Sequence, residues 1–352
     1  MAVGTKTLKH MILKVQKLRE YLKLPRNQLT ELIKKKNPLI HYGDTIDQWP
    51  KGQASPFIWS MTNFEHILNW WAKHIITPNS IVEIGIEHGI GTQALQELAK
   101  RNKANHIAID PSITNELAAV LKSNYKHTTI IIDKSLTALK KLKQKGRLAL
   151  TNWFVIDGDH NYYTFYNELK LIVEDILVHP RPFVIFAHDL GWPNATRDSY
   201  YNISDIPQKY RQPLQENGGF VRLHHSQLQP IGSLYSEPLH VHTKEGKPMY
   251  ANTEGTSKNG LLPAFRDIEH KFSDLDLILT IVPANWGLGI ITSLRLLPIN
   301  AAPKLLFFLR ALALFFPLLS TLEYTRLSLL EEYNRQSLRI QQLEHERQPN
   351  AH

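Results

Sequence analysis

The sequence predicts an α/β chain built on a doubly wound, mostly parallel seven-stranded sheet that ends in an antiparallel hairpin. Three observations predict it: five short apolar runs between residues 80 and 189, helical stretches separating them, and two later runs joined too tightly to be parallel. The runs are SIVEIG (80–85), HIAID (106–110), TTIIID (128–133), WFVID (153–157) and FVIFAHD (183–189). Between them the segments 92–101, 116–123, 136–145 and 163–177 read as helices. Apolar strands spaced by helices imply a parallel sheet covered on both faces. Each run finishes in an acidic residue or a glycine, at the carboxyl end of its strand, where open α/β sheets hold ligands. After a short helix at 263–272 come LDLILTIVP (275–283) and LGIITS (288–293), joined by ANWG. So short a connection requires antiparallel pairing.

Around this core the sequence predicts an N-terminal helical region over 1–77, the main domain over 78–300 with an insertion at 191–262, and a helical tail over 301–352. Near the start, Met11, Ile12, Val15, Leu18, Tyr21 and Leu22 recur at helical spacing among basic residues. That stretch lacks the apolar core and cleavage site of a secretory signal, which predicts a cytoplasmic protein. The insertion begins GWPNATRDSYYNISDIPQKYRQP and continues through Lys/Gly/Asn-rich sequence. A segment of this length without periodicity reads as a lid or binding insertion. In the tail, Leu305–Leu322 is nearly long enough to span a bilayer but is interrupted by Arg310 and Pro317. The first reading is packing on the domain or on a second copy, with a homo-oligomer expected. The second is membrane association through peripheral contact of 305–322.

Composition sets outer limits. Of 352 residues, 43% are hydrophobic and 21% charged, which excludes a disordered or collagen-like chain. Lys and Arg total 41 against 32 Asp and Glu, and the surplus of +9 favours anionic partners. With no cysteine, thiolate zinc sites, Fe–S clusters and cysteine nucleophiles are excluded. Any metal must be held by oxygen and imidazole.

Three segments can carry chemistry. In the first, Glu83-Ile-Gly85-Ile-Glu-His-Gly89-Ile-Gly91, glycines allow a sharp turn and close backbone approach, and the start of the next helix exposes amides. Its G-x-x-x-G-x-G spacing differs from both the dinucleotide fingerprint and the Lys-bearing phosphate loop. Asp110 ends the next strand 19 residues after Gly91, where a carboxylate can accept both ribose hydroxyls. Together these suit an adenosine ligand whose other end is not a pyrophosphate. The second segment is Asp157-Gly-Asp159-His160 and the third is His188-Asp189. Adjacent strands lie about 5 Å apart, so Asp157 and Asp189 can converge on one Mg²⁺ or Mn²⁺, with Asp159 or His188 completing the shell. The structural alternatives are a helix N-cap for Asp159 and a hydrogen-bonded histidine for His160 or His188.

SIVEIGIEHGIGT, HIAIDP, FVIDGDHNYYTFYNELKLI and FVIFAHDLGWP together resemble class I S-adenosylmethionine-dependent methyltransferases over roughly residues 78–190. More narrowly they resemble the bacterial group whose fourth strand ends in IDGDHxY and whose fifth ends in His-Asp. Antibiotic-sugar O-methyltransferases and cephalosporin-hydroxylase-like proteins are related to that group. The resemblance implies a Rossmann-like methyltransferase fold, with S-adenosyl-L-methionine over Glu83, Gly85, Gly89 and Gly91, its ribose on Asp110, and Asp133 or Lys134-Ser135 near the adenine. It further implies a divalent cation, Mg²⁺ by expectation, on Asp157, Asp189 and His188.

The mechanism this implies is O-methylation, in which the cation fixes the acceptor hydroxyl and His160 or His188 takes its proton. The acceptor would be a polar small molecule, a sugar or a glycosylated metabolite, and no nucleic acid is expected. Trp192, Arg197, Tyr200, Tyr201, Tyr210 and Arg211 of the insertion would close over it. Three other readings compete. They are a metal-dependent glycosyltransferase using Asp157-Gly-Asp159 as a D-x-D grip, a hydroxylase-like member of the same fold, and a non-catalytic membrane-associated module.

Overall fold

The computed structural model of the chain describes residues 61–191, 194–214, 249–253, 255–320 and 322–323. The basic N-terminal segment, Trp192, the middle of the insertion and the polar end of the tail lie outside them.

The five apolar runs form β1 (Ser80–Ile84), β2 (Asn105–Ile109), β3 (Thr128–Ile131), β4 (Trp153–Ile156) and β5 (Val184–Ala187). The helices between them are α2 (Ile90–Asn102), α3 (Asn115–Asn124), α4 (Ser135–Gln144) and α5 (Tyr162–Val178), preceded by α1 (Glu65–His74). The four helices between the strands each start within two residues of their predicted positions. The caps explain some of those starts: Thr114 accepts from Leu117 N, and Asn161 from Thr164 N. After the insertion come α6 (Leu261–Lys271), β8 (Leu277–Val282), β9 (Leu288–Ser293) and the apolar helix α7 (Ala302–Ser320).

The seven strands are ordered β3-β2-β1-β4-β5-β9-β8. β1 to β5 are parallel, and β9 runs antiparallel to both β5 and β8. The sheet is therefore the doubly wound, mostly parallel, Rossmann-like arrangement expected, closed by the predicted hairpin. Alternate residues of each strand feed two cores. Val82, Ile84, Phe154, Ile156 and Ile185 pack with α4, α5 and α6. Ile81, Trp153, Val155, Val184 and Phe186 pack with α1, α2 and α7 on the other face.

The tail helix is part of that second core. Leu305, Leu306, Leu309 and Leu312 are buried under the sheet, each contributing roughly 2 kcal/mol. The helix runs on through Arg310 and Pro317, the two residues that interrupt its apolar run. Its outer face leaves Phe307, Leu314, Phe315, Leu318 and Leu322 exposed.

Register fixes what the sheet presents. Ile84 is level with Ile109 and Ile156, Ile109 with Ile131, and Ile156 with Ala187. One residue further on, Gly85, Asp110, Asp157 and His188 leave the sheet together at its carboxyl edge.

Candidate active site

On one side of that edge lies the glycine turn. Gly85 adopts φ +92°, and a Cβ there would collide with the backbone carbonyl of Asp157. Only glycine lets the turn after β1 press this closely on the end of β4. Gly89, at φ +78°, ends the turn as the residue before α2, and Gly91 falls in the first turn of that helix. Asp110 holds the turn from the β2 side. Its Oδ2 accepts from Ile86 N (2.8 Å) and Glu87 N (3.1 Å), and its Oδ1 from Ser112 N (2.6 Å).

Glu83 is placed differently from the expectation that it lies directly under a cofactor. Its carboxylate is turned beneath α2, where Oε1 accepts from Thr92 Oγ1 (2.9 Å) and Oε2 lies 3.0 Å from His106 Nε2. The reason is strand alternation: Glu83 shares the face of Ile81, not the face of Ile84. Asp133 follows β3 and is tied to Lys141 Nζ (2.7 Å) and Lys134 N (2.8 Å). The hydrogen bond from Lys141 holds its carboxyl below the usual range.

On the other side stands a cluster of four ionisable side chains. Asp157, His160 and Asp189 each offer a ligand atom within 4.8 Å of the others. His160 Nε2 is 2.8 Å from Asp189 Oδ2 and 3.9 Å from Asp157 Oδ1. His188 Nδ1 lies 3.3 Å from Asp157 Oδ1 and 3.4 Å from Asp189 Oδ1. Its other nitrogen, Nε2, is 3.0 Å from the Asn285 carbonyl. The sequence grouped Asp157, Asp189 and His188; the structure brings His160 into the tightest set and puts His188 just behind it. Asp189 itself sits at φ +60°, an unusual backbone for a non-glycine residue and a frequent mark of functional sites.

The charges in this cluster act directly on one another. Burial disfavours the imidazolium of His160, but Asp189 and Asp157 outweigh it and push the pKa up to about 10. Burial likewise opposes the charge on His188, and Asp157 followed by Asp189 lifts it to about 9. Burial would raise Asp157, yet His188 and then His160 hold it well below the usual carboxylate range. Two imidazoles and two carboxylates thus face one another. Carboxylate oxygens and imidazole nitrogens that converge in this way form a donor set that suits a divalent cation.

Asp159 does not join the cluster. Its Oδ2 accepts from Asn161 Nδ2 (2.6 Å) and Thr164 Oγ1 (2.9 Å), so it braces the start of α5 beside the Asn161 cap. Burial raises its carboxyl above the ordinary value. Asp157 and Asp159 therefore do not present a converging D-x-D pair.

The insertion roofs the cluster through residues the sequence only partly identified. β6 (Ser199–Tyr200) pairs with β7 (Met249–Tyr250), and Ser199 N donates to the His160 carbonyl (2.8 Å). The half-exposed Tyr201 ring lies 6.1 Å from the His160 ring. Tyr250 is buried, and burial followed by the Asp189 carboxylate raises its phenol pKa.

The other aromatic and basic residues expected to meet an acceptor have structural partners. Arg197 is buried, with Nη1 donating to the Ala251 carbonyl, and the Tyr200 hydroxyl donates to Asp198. Tyr210 packs on Tyr162 and Tyr163, and Arg211 binds the Ile206 and Ser204 carbonyls. Asp198, which the sequence reading missed, is the hub of this layer. It accepts from Tyr162 N, Gly260 N and Tyr200 Oη, and burial pushes its carboxyl up to about 6. No local sequence signal marks it, because the two backbone amides it accepts from come from distant segments.

Residues 82–189, which span both halves of the site, match the family described as methyltransferase domain. No curated protein matches the sequence. The chain is similar to several solved structures. One is the cofactor-bound Rv0187 from MTB, at 16% identity, 44% of this chain, 66% of that one and a TM-score of 0.28. Another is the O-methyltransferase TomG from Streptomyces achromogenes in complex with SAM, at 10% identity, 75% and 89% coverage and a TM-score of 0.38. A third is an O-methyltransferase from Bacillus cereus in complex with SAH, at 12% identity, 77% and 93% coverage and a TM-score of 0.35.

Proposed function

We propose that the protein is an S-adenosylmethionine-dependent O-methyltransferase, assisted by a divalent cation and acting on a polar small molecule such as a sugar or glycosylated metabolite. The observation that carries this reading is the contact of Gly85 with the Asp157 carbonyl, which would set a nucleoside on the turn beside a cation on the cluster. The methyltransferase-domain match over 82–189 supports the same reading.

Gly85, Gly89 and Gly91 would leave room for the nucleoside above the turn, with Asp110 accepting from a ribose hydroxyl at the Oδ1 lone pair that its three amide partners leave open. Bound there, S-adenosylmethionine would supply a methyl group on a sulfonium for in-line attack by the acceptor oxygen. Asp157, Asp189 and His188 would hold a cation that lowers the pKa of the acceptor hydroxyl. His160 has the more open imidazole, at 13% side-chain exposure against 2% for His188, and in the neutral form that a cation on the neighbouring carboxylates would favour, it would take the acceptor proton at Nε2. Tyr201 would form the wall against which the acceptor rests.

Calorimetry with S-adenosylmethionine tests this. Micromolar binding that is lost in Asp110→Ala and kept in Asp157→Ala is the expected outcome. Binding of a UDP-sugar alone, lost in Asp157→Ala, would replace the proposal with the glycosyltransferase reading.

A further inference from the structure

The strand connection behind the cluster is held from an unexpected place. Between β8 and β9, Asn285, Trp286 and Gly287 all adopt positive φ (46°, 70° and 85°), a run that is costly for the first two residues. Two amides of this turn point at one carboxylate: Asn285 N donates to Glu323 Oε2 (2.9 Å) and Trp286 N to Glu323 Oε1 (3.0 Å). Glu323 is buried and lies one turn beyond the last residue of α7. Charge-assisted bonds to two successive amides supply what the strained turn needs to persist.

The turn in its turn holds the cluster. The Asn285 carbonyl meets His188 Nε2, the Gly287 carbonyl accepts from Leu190 N (3.2 Å), and the Trp286 carbonyl accepts from Gly191 N. His188 and the residues that follow Asp189 are thus both fixed by backbone atoms of 285–287. A Cβ on Gly287 would strike Gly191 N and the Leu190 carbonyl carbon, so the two segments are in close contact. With Nε2 donating to Asn285, the imidazole is locked with Nδ1 toward Asp157 and Asp189. Metal-binding histidines are commonly oriented in this way through the second nitrogen.

We propose that Glu323 is a positioning residue for the candidate active site. Its carboxylate sets the 284–287 turn, and through the Asn285 carbonyl it sets the orientation of His188 beside Asp157 and Asp189. The apolar tail helix is then a structural arm of the site, because it delivers this carboxylate to the back of the cluster. The effect on cation binding rests on the function proposed above; the effect on His188 does not.

The test compares the full-length protein with Glu323→Gln and Glu323→Ala, using Leu318→Ala, on the exposed side of the same helix, as control. In the parent, NMR should show a His188 Nε2 proton protected from solvent exchange and slowly exchanging amides at 285 and 286. Both Glu323 variants should lose that protection, and Mn²⁺ binding should weaken by about tenfold, the range for an outer partner of a metal ligand. S-adenosylhomocysteine affinity should stay unchanged, and Leu318→Ala should match the parent throughout. Glu323→Gln keeps one acceptor oxygen and decides the matter should Glu323→Ala fail to fold. A folded Glu323→Gln protein with the parental His188 signal overturns the proposal, as does an equal loss of Mn²⁺ and S-adenosylhomocysteine. Should the parent bind neither probe, the methyltransferase reading fails, and the His188 signal still decides the role of Glu323.

Discussion

On the glycine-turn side of the crevice the carboxylates are already met: Asp110 by three backbone amides, Glu83 by Thr92 and His106. On the cluster side Asp157, His160, His188 and Asp189 face chiefly one another, and the carboxylates lift both imidazoles above their usual pKa range. The first half is fixed by backbone and offers shape. The second is held in place from outside, through Asn285 and Ser199, and offers charge that a cation can take over. The difference teaches that the two halves should fail separately under mutation, except where they touch.

The largest effect is expected at that point of contact. Gly85→Ala would drive a Cβ into the Asp157 carbonyl and should destabilise the fold by roughly 3 kcal/mol or more. Gly146→Ala also places alanine at positive φ, but with nothing within 4 Å it should cost about 1 kcal/mol. Denaturant unfolding of the two variants checks this, and equal losses would mean that the two halves are not locked together.

The next effect separates the halves. Asp157→Ala or Asp189→Ala should weaken Mn²⁺ binding by at least about a hundredfold, since even outer partners of a metal site are worth about 10–100-fold. Nucleoside affinity should hold in both. Asp110→Ala should do the reverse, and it should also destabilise the turn by about 1–3 kcal/mol by stranding the Ile86 and Glu87 amides. Titration of each variant with each ligand reads the pattern directly.

A smaller effect concerns Glu168, buried in α5. Burial, opposed in part by Ser135, pushes its carboxyl from 4.5 up to about 8. Between those values the unfolded chain has released the proton and the folded one retains it. This group therefore makes stability fall as pH rises through that window, by about 1.4 kcal/mol per pH unit. Glu168→Gln should flatten that slope in unfolding curves measured across the window, leaving cation affinity unchanged.

The contrast also explains what was legible in the sequence. Strands and helices were, because apolar runs and helical periods are local signals: α5 spans Tyr162–Val178 where the sequence pointed to 163–177. The ANWG connection announced its hairpin for the same reason. Asp110, Asp157, His188 and Asp189 were legible because a strand end is itself a local feature. What stayed hidden depends on long-range pairing. Nothing near β9 says that it lies beside β5, nothing near Arg197 or Tyr200 says that they bury themselves within the insertion, and nothing near Glu323 points to Asn285. The side-chain direction of Glu83 was open to prediction from alternation along β1, since Val82 and Ile84 share the opposite face.

The central claim is that the nucleoside and the cation occupy one crevice, and paramagnetic relaxation tests it most directly. S-adenosylmethionine bound to the full-length protein should show its S-methyl proton signal strongly broadened on addition of Mn²⁺. In Asp157→Ala the ligand should still bind while the broadening disappears. A bound ligand whose methyl signal is untouched by Mn²⁺ in the parent protein would contradict the account.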